Sequence, residues 1–485
     1  MVGITAYGAY LPRRRLQRKA VAQANAWFAP NLVGGAKGER AMANWDEDAV
    51  TMAYEAARDC LPASEPAQDR AFVDGITLAS TTLPFLERQN AGIVAAALSL
   101  SENISSSDLA SSQRAGTSAL VTALDAVAAG RLKAPLVVAA DKRKARAASS
   151  QELAFGDASA AFTLGATGTI ADFVGSHNLT LDFVDRFRGE GEDFDYSWEE
   201  RWIRDEGYSK IVPTAVKALL EKTQTGAGDV AHLILPCPFA KLDQALAKQC
   251  GIDPARVRDN LASTVGDSGA AHALLMLAHV LETAKPGEKI LVVQFGQGAD
   301  ALLFEVTPRI ADFPKPRGVS GALARRKEET NYLKYLAFNG LIEMEKGMRA
   351  EVDKRTALTV LYRNADMLLS LSGGKCRVCG TAQFPKSRIC VNPNCTAVDS
   401  QDDYGFSEQE GAVLSWSADH LTYAMDPPNH YGMITFSGGG RLMADITDVE
   451  QGQIDTGSKV RMTFRIKDFD PKRGFVRYFW KAVPV

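Results

Sequence analysis

The chain has 485 residues, 46% hydrophobic and 23% charged, with 55 Lys plus Arg against 58 Asp plus Glu. At roughly 100–200 residues per domain this predicts about two to four domains with large buried cores, which excludes a disordered or fibrous protein. A formal net charge of −3 gives no footprint for polyanions, so the expected partner is a small molecule, not nucleic acid or a membrane surface. No apolar run reaches the roughly 18 residues of a membrane-spanning helix. The start Met1-Val-Gly-Ile-Thr-Ala-Tyr-Gly reads as a strand without a basic leader, so a cytoplasmic location is expected.

In chain order, short β-rich runs alternate with Ala-rich helical runs over about the first 310 residues, the pattern of an α/β fold on a buried sheet. Strands are predicted at Gly3 to Ala9, Gly75 to Ala79, Leu136 to Ala140, Ala160 to Leu164, His232 to Leu235, Ile290 to Gln294 and Ala301 to Val306. Helices are predicted at Asp46 to Cys60, Ala91 to Leu98, Gly116 to Ala129, Lys210 to Thr223, Lys241 to Cys250 and Ser268 to Thr283. The segment Ala134 to Asp141 followed by Asp157 to Leu164 is echoed by Lys289 to Gly296 followed by Asp300 to Val306. That echo predicts a duplicated unit, with repeats at 1–165 and 166–312. A charged helical bridge is expected at 318–372, containing the basic run Arg325-Arg-Lys. Residues 373–400 hold a cysteine cluster, and 408–485 read as five short strands of a small OB-type barrel.

Four of the seven cysteines, Cys376, Cys379, Cys390 and Cys395, form a C-x2-C-x10-C-x4-C array. Two such knuckles converge four thiolates on a tetrahedral zinc at about 2.3 Å and leave no open position, so the metal is expected to be structural. Gly380, directly after the first pair, permits the tight turn.

Several stretches together resemble the thiolase superfamily, and within it the hydroxymethylglutaryl-CoA synthase branch. They are the opening Met1 to Arg13, Gly156-Asp-Ala-Ser-Ala-Ala-Phe, Val265-Gly-Asp-Ser-Gly-Ala-Ala and Gly296-Gln-Gly298. The knuckles and barrel are similar to a small acyl-CoA-associated protein that accompanies many thiolases, here fused at the C-terminus. The resemblance implies an acyl-CoA enzyme that breaks or makes a carbon–carbon bond, with coenzyme A as substrate carrier and a homodimer paired through the sheet edge of the first repeat. The family's nucleophile is a cysteine before Gly/Ala-Gly-Thr; this chain has Gln113-Arg-Ala-Gly-Thr117. An amide cannot attack a thioester. By the same resemblance Pro236 takes the place of the family histidine, and Ser80-Thr81-Thr82 that of its glutamate.

The helix start at Gln113 and the wall at Gly296 and Gly298 still suit an oxyanion hole, which without a nucleophile suits (retro-)aldol cleavage of a β-hydroxyacyl-CoA. The resemblance makes tyrosines the proton-transfer candidates: Tyr208 first, then Tyr196 and His272. Each also reads as a packing residue. Asp267 reads as a helix cap and Asp157 as a turn residue. Cys237 between two prolines reads as a buried thiol, and Cys60 and Cys250 as structural. The basic run Arg325-Arg-Lys reads as a solvated face or, shared with Lys241, as a clamp for coenzyme A phosphates, with Lys241 the expected coenzyme A contact. The alternatives are a synthase- or thiolase-type Claisen acyltransferase, with Cys237 as substitute nucleophile, a decarboxylase, or a non-catalytic acyl-CoA-binding scaffold.

Overall fold

The computed structural model describes residues 1–61, 70–351 and 355–485. Its centre is a nine-stranded sheet made of two four-strand arrays with one pairing scheme. In the first array Gly75–Ala79 runs parallel to Pro135–Asp141, which pairs antiparallel with Ala158–Gly165, itself antiparallel to Gly3–Tyr10. In the second, Val230–Ile234 runs parallel to Lys289–Phe295, which pairs antiparallel with Gly298–Val306, itself antiparallel to Ala171–Thr180. The last strands named in the two arrays, Gly3–Tyr10 and Ala171–Thr180, join them antiparallel at Gly3 and Ile4 against Asp172 and Ala171. Ser105–Leu109 extends the first array as an edge.

Each array carries a central helix before its β-hairpin, Ala115–Ala128 in the first and His272–Leu281 in the second. Both are Ala- and Leu-rich and share one core with the sheet. Their starts meet so closely that a Cβ on Gly116 would lie 2.3 Å from the Ala270 carbonyl oxygen. The sequence echo thus corresponds to a structural repeat.

The seven predicted strands form within one to three residues of their expected ends. Two strands of the sheet escaped prediction, Ala171–Thr180 and Ser105–Leu109. Ser105–Leu109 is the polar run Ser-Ser-Ser-Asp-Leu at an edge, and Ala171–Thr180 alternates only weakly, so neither carries the continuous apolar signal of a strand buried on both faces. The expected helical bridge is instead broken: Gly318–Ala324, Tyr332–Phe338, Leu358–Arg363 and Ala365–Leu369 are short helices. Between the first two, Lys327–Glu329 pairs parallel with Arg14–Gln17. Residues 352–354 of that bridge lie outside the described residues.

The C-terminal strands run in the order Arg441–Asp445, Asn429–Phe436, Gly411–Asp419, Lys459–Asp470, Phe475–Pro484. A parallel bridge from Ile446 to Ala482 brings the two ends together as a small barrel. The barrel packs on helix Ala49–Cys60, whose N-terminus is fixed by a reciprocal capping box between Asp48 and Thr51. Trp480, 1% exposed, stands edge-on to Tyr54 with ring centroids 5.3 Å apart.

Candidate functional site

Parallel strands leave their C-terminal ends on one side of a sheet, where loops can gather around a ligand. Gly75–Ala79, Ser105–Leu109 and Pro135–Asp141 are mutually parallel in this way, and the residues that follow them are Ser80 to Thr82, Ala110 to Gln113, and Lys142. All of these line one cleft of about 1660 Å³. Gly296 and Gln297, in the hairpin of the second array, close its inner wall. The outer walls come from Asp185 to Asp195, from Phe338 and Asn339 of the bridge, and from the barrel at Thr422 to Met425 and Ile466 to Phe469.

The inner end is held by two buried carboxylates. Asp300, fully buried, accepts from Arg114 Nη1 at 2.7 Å, Asn178 Nδ2 at 2.7 Å, Thr117 Oγ1 at 2.8 Å and Ser118 Oγ at 2.9 Å. Arg114 also donates to the carbonyls of Gly296, at 2.7 Å, and Gln297, at 3.2 Å. The turn that carries Gln113 is therefore clamped to the Gly296 turn, and a Cβ on Gly296 would meet the Gln113 Cβ at 3.0 Å. Asp141, also fully buried, accepts from Ser80 Oγ at 2.8 Å, Thr81 N at 2.7 Å, Thr81 Oγ1 at 2.9 Å, Thr82 Oγ1 at 3.1 Å and Ala270 N at 2.8 Å. Burial keeps its pKa above the ordinary carboxylate range despite those donors.

Of the residues singled out in the sequence, Gln113, Gly296 and Ser80 to Thr82 line the cleft, and Gly298 stands just beyond Gly296. Gly298 has φ +113 and touches the Leu179 backbone so closely that a side chain there would collide with it. The others lie elsewhere. Tyr208 is buried in a core cluster and does not line the cleft; its ring is 4.2 Å from that of Phe295, and burial lifts its pKa well above the usual phenol range. It belongs to a π-helical segment, Ile203–Tyr208. Tyr196 is 65% exposed on a two-stranded hairpin against Phe187. His272 is buried with both ring nitrogens occupied: Ser268 N–H donates to Nδ1 at 3.1 Å, and Nε2 donates to the Asn260 carbonyl at 2.8 Å. Burial lowers its pKa, against the nearby Asp267 carboxylate, and it does not line the cleft.

Lys241 is exposed at a helix start with φ +61 and does not line the cleft. The run at Arg325 is absorbed structurally. Arg326 pairs with Glu39 at 3.2 Å and Lys327 with Glu450 at 2.7 Å.

Cys237 is buried and donates to the Phe239 carbonyl at 3.7 Å, and burial pushes its thiol up to about 12. No cysteine lines the cleft among the described residues. Asp267 caps the turn at Gly269 through a 2.9 Å bond and pairs with Arg143 at 2.8 Å. Burial raises its pKa, but Arg143 and Arg186 outweigh burial and hold it far below the usual range. Asp157 is buried between the Ala43 and Arg143 amides, at 2.8 and 3.0 Å.

Lys142 is the residue that sequence reasoning missed. Its ammonium donates to the Glu47 carbonyl at 2.9 Å, with a longer 3.5 Å contact to that of Asn44, and it makes no ion pair among the described residues. The available signal was Asp141-Lys142-Arg143-Lys144, a charged run at the carboxyl end of a buried parallel strand.

The four knuckle cysteines converge with every sulfur within 4.8 Å of the others. Cys376 and Cys395 Sγ stand 3.9 Å apart, and Cys379 and Cys390 Sγ 3.5 Å apart. Thiolates at about 2.3 Å from a tetrahedral ion are separated by about 3.8 Å, so the donor set fits a metal. Gly380 takes φ +73 at the knuckle turn.

A hydroxymethylglutaryl-CoA synthase of Aeropyrum pernix is 30% identical over 348 residues, which cover 71% of this chain and 96% of the relative. The chain belongs to the hydroxymethylglutaryl-CoA synthase family. The synthase of Methanopyrus kandleri is 29% identical over 315 residues, 64% of this chain and 89% of its own. Residues 220–305 match the C-terminal domain of 3-oxoacyl-[acyl-carrier-protein] synthase III, and residues 406–465 match the C-terminal OB-fold domain of ChsH2. A solved hydroxymethylglutaryl-CoA synthase, complexed with CoA, superposes with a TM-score of 0.60 at 18% identity, covering 73% of this chain and 94% of that one. The synthase III of Aquifex aeolicus superposes at 0.53 with 20% identity, covering 63% and 100%. The synthase family therefore shares the thiolase-like fold of the duplicated unit, and the ChsH2-like barrel is a separate match beyond it.

Proposed function

We propose that this protein acts on an acyl-CoA and cleaves, or in reverse forms, the Cα–Cβ bond of a β-hydroxyacyl-CoA without an acyl-cysteine intermediate. The observation that carries this reading is Gln113. It lines the cleft in the turn before helix Ala115–Ala128, in the sequence setting where the family's cysteine stands. A helix N-terminus offers unpaired backbone N–H groups to a developing thioester enolate. The clamp from Arg114 to Asp300 and the Gly296 turn holds that start in place. Such a site can stabilise an enolate but cannot form a thioester to a side chain.

The test is incubation of the full chain with a panel of β-hydroxyacyl-CoAs, including bulky and aromatic members. The expected products are an aldehyde or ketone and a shorter acyl-CoA. Absence of cleavage across the panel, or burst acylation of wild-type enzyme by acetyl-CoA, overturns the reading in favour of a Claisen acyltransferase like the named relatives. Gln113→Cys should create an alkylatable thiol in the cleft.

The same reading places zinc in the four-cysteine knuckle in a structural role, since four thiolates complete its shell. Metal analysis should find about one zinc per chain. It also pairs two copies through Ser105–Leu109, the open edge of the sheet, and sedimentation equilibrium should find twice the 52.3 kDa chain mass.

A further inference from the structure

Resting on that reading, we propose that Lys142 is the acid–base residue of the cleft: its free amine takes the β-hydroxyl proton as the Cα–Cβ bond breaks, and its ammonium returns a proton to Cα.

Three observations converge on it. First, position: Lys142 follows the carboxyl end of Pro135–Asp141, two strands from the one that leads into Gln113. Strands stand about 4.8 Å apart, so these two strand ends are roughly 10 Å apart, and both residues line the one cleft. Second, Lys142 is fixed in that place. Its backbone N–H donates to Thr82 Oγ1 at 2.9 Å, and Thr82 is held in turn by Asp141. Its side chain is steadied by the Glu47 carbonyl at 2.9 Å.

Third, charge. The neighbouring Arg114 and Arg143 each have a carboxylate within 2.8 Å, whereas Lys142 has none within ion-pair distance among the described residues. An ammonium has three donors, and the two carbonyls leave one for a ligand. Burial lowers the pKa of Lys142, against the more distant carboxylates Asp157, Asp48 and Glu47 and together with Lys144. The free amine is thereby more accessible than in an ordinary lysine. Tyr208, Tyr196 and His272 offer no comparable group to the cleft.

The step balances. The O–H bond breaks and an N–H bond forms; the Cα–Cβ pair moves to the thioester as an enolate while Cβ becomes a carbonyl. Protonation of Cα by the ammonium restores the free amine, with no change in oxidation state.

The test uses full-length K142A and K142R on a panel member that wild type cleaves. Both variants should lose at least ~100-fold in kcat. K142R keeps the charge and the carbonyl contacts but cannot act as a base at neutral pH. Small primary amines should partly rescue K142A, in proportion to the free-base concentration. K142R at the wild-type kcat, or rescue that follows the ammonium form, overturns the proposal. If K142A unfolds, K142R decides alone. Wild type silent across the panel sinks the parent reading and Lys142 with it, whereas active wild type with equally active K142R sinks Lys142 only.

Discussion

The junction between barrel and α/β unit and the cleft beside it are built from the same residue types and treat charge in opposite ways. At the junction each buried carboxylate is met by cations. Asp46, fully buried, accepts from Lys481 at 2.8 Å, Thr447 at 3.1 Å and Arg465 at 3.3 Å. Glu55 takes both Arg461 nitrogens, at 3.0 and 2.8 Å, and the Thr463 hydroxyl at 2.8 Å. In the cleft Asp300 is paired with Arg114, but Asp141 takes only neutral hydrogen-bond donors, and Lys142 faces backbone carbonyls. Compensated charge fixes two units to one another; uncompensated charge beside a cavity is available to a ligand.

The sharpest way to break the contrast is Arg465→Ala. Arg465 is 2% exposed and bonds Asp46, Glu47 and Asp448, so its loss takes the cation from Glu47 and Asp448 and leaves Asp46 with the Lys481 cation alone. Removing one partner of a buried pair costs about 3–5 kcal/mol, and urea unfolding should show at least that loss. A change below about 1 kcal/mol would mean that apolar packing at Trp480 carries the junction without the charges.

On the cleft side the corresponding change is Asp300→Asn. Asp300 holds no ligand itself but locks the Gln113 turn to the Gly296 turn through Arg114. A misplacement of about 1 Å at a reacting centre can cost ~100-fold, so kcat should fall by about that factor while KM changes less. Conservation of kcat would show that the clamp is structural only.

Acid should separate the two regions next. Burial pushes Glu55 up, but Arg461 and Arg58 outweigh it and hold the carboxyl well below its usual range; Lys481 and Arg465 do the same for Asp46. Carboxyls with depressed folded pKa values give stability that is present above their unfolded values near pH 4–4.5 and lost as pH falls below. Glu47 works the other way. Burial raises it to about 6, so it contributes stability below its ordinary value that is lost as pH climbs towards 6. The urea midpoint should therefore drop on acidification below about pH 4.5 by the equivalent of about 2 kcal/mol, less in Glu55→Gln, while Glu47→Gln flattens the limb between pH 4.5 and 6.

Much of the fold and little of the cleft was legible in the sequence. The duplicated sheet announced itself through continuous apolar runs such as Leu136 to Ala140, fully buried in the fold. The cysteine array declared the knuckle because ligand spacing is local. The cleft residues come from strand ends scattered between Ser80 and Gln297, and only topology brings them together. Gln113 was found because its neighbours Ala115-Gly-Thr117 form a local pattern. Tyr208 and His272 were credible from local context, yet the first packs on Phe295 away from the cleft lining and Ser268 and Asn260 occupy the second. Lys142 stands in a charged run at a strand end, Asp141-Lys142-Arg143-Lys144, and nothing in that run separates it from its neighbours. Its meaning lies in the absence of a carboxylate partner, and a sequence cannot show such an absence.

The rim of the cleft should give the smallest effect. Lys144 meets Asp193 at 3.1 Å, with side chains 39% and 68% exposed, one residue pair out from the Lys142 position. Exposed pairs are worth about 0–1 kcal/mol and are screened by salt, so Asp193→Ala should leave the urea midpoint almost unchanged. It also frees the Lys144 ammonium beside Lys142, and a second unpaired cation disfavours protonation of the first. The pH at which kcat reaches half its plateau should therefore move slightly lower in Asp193→Ala at low ionic strength, and return towards wild type in high salt. A shift of equal size in K142R would assign the titration to another group, because arginine does not lose its proton in that range.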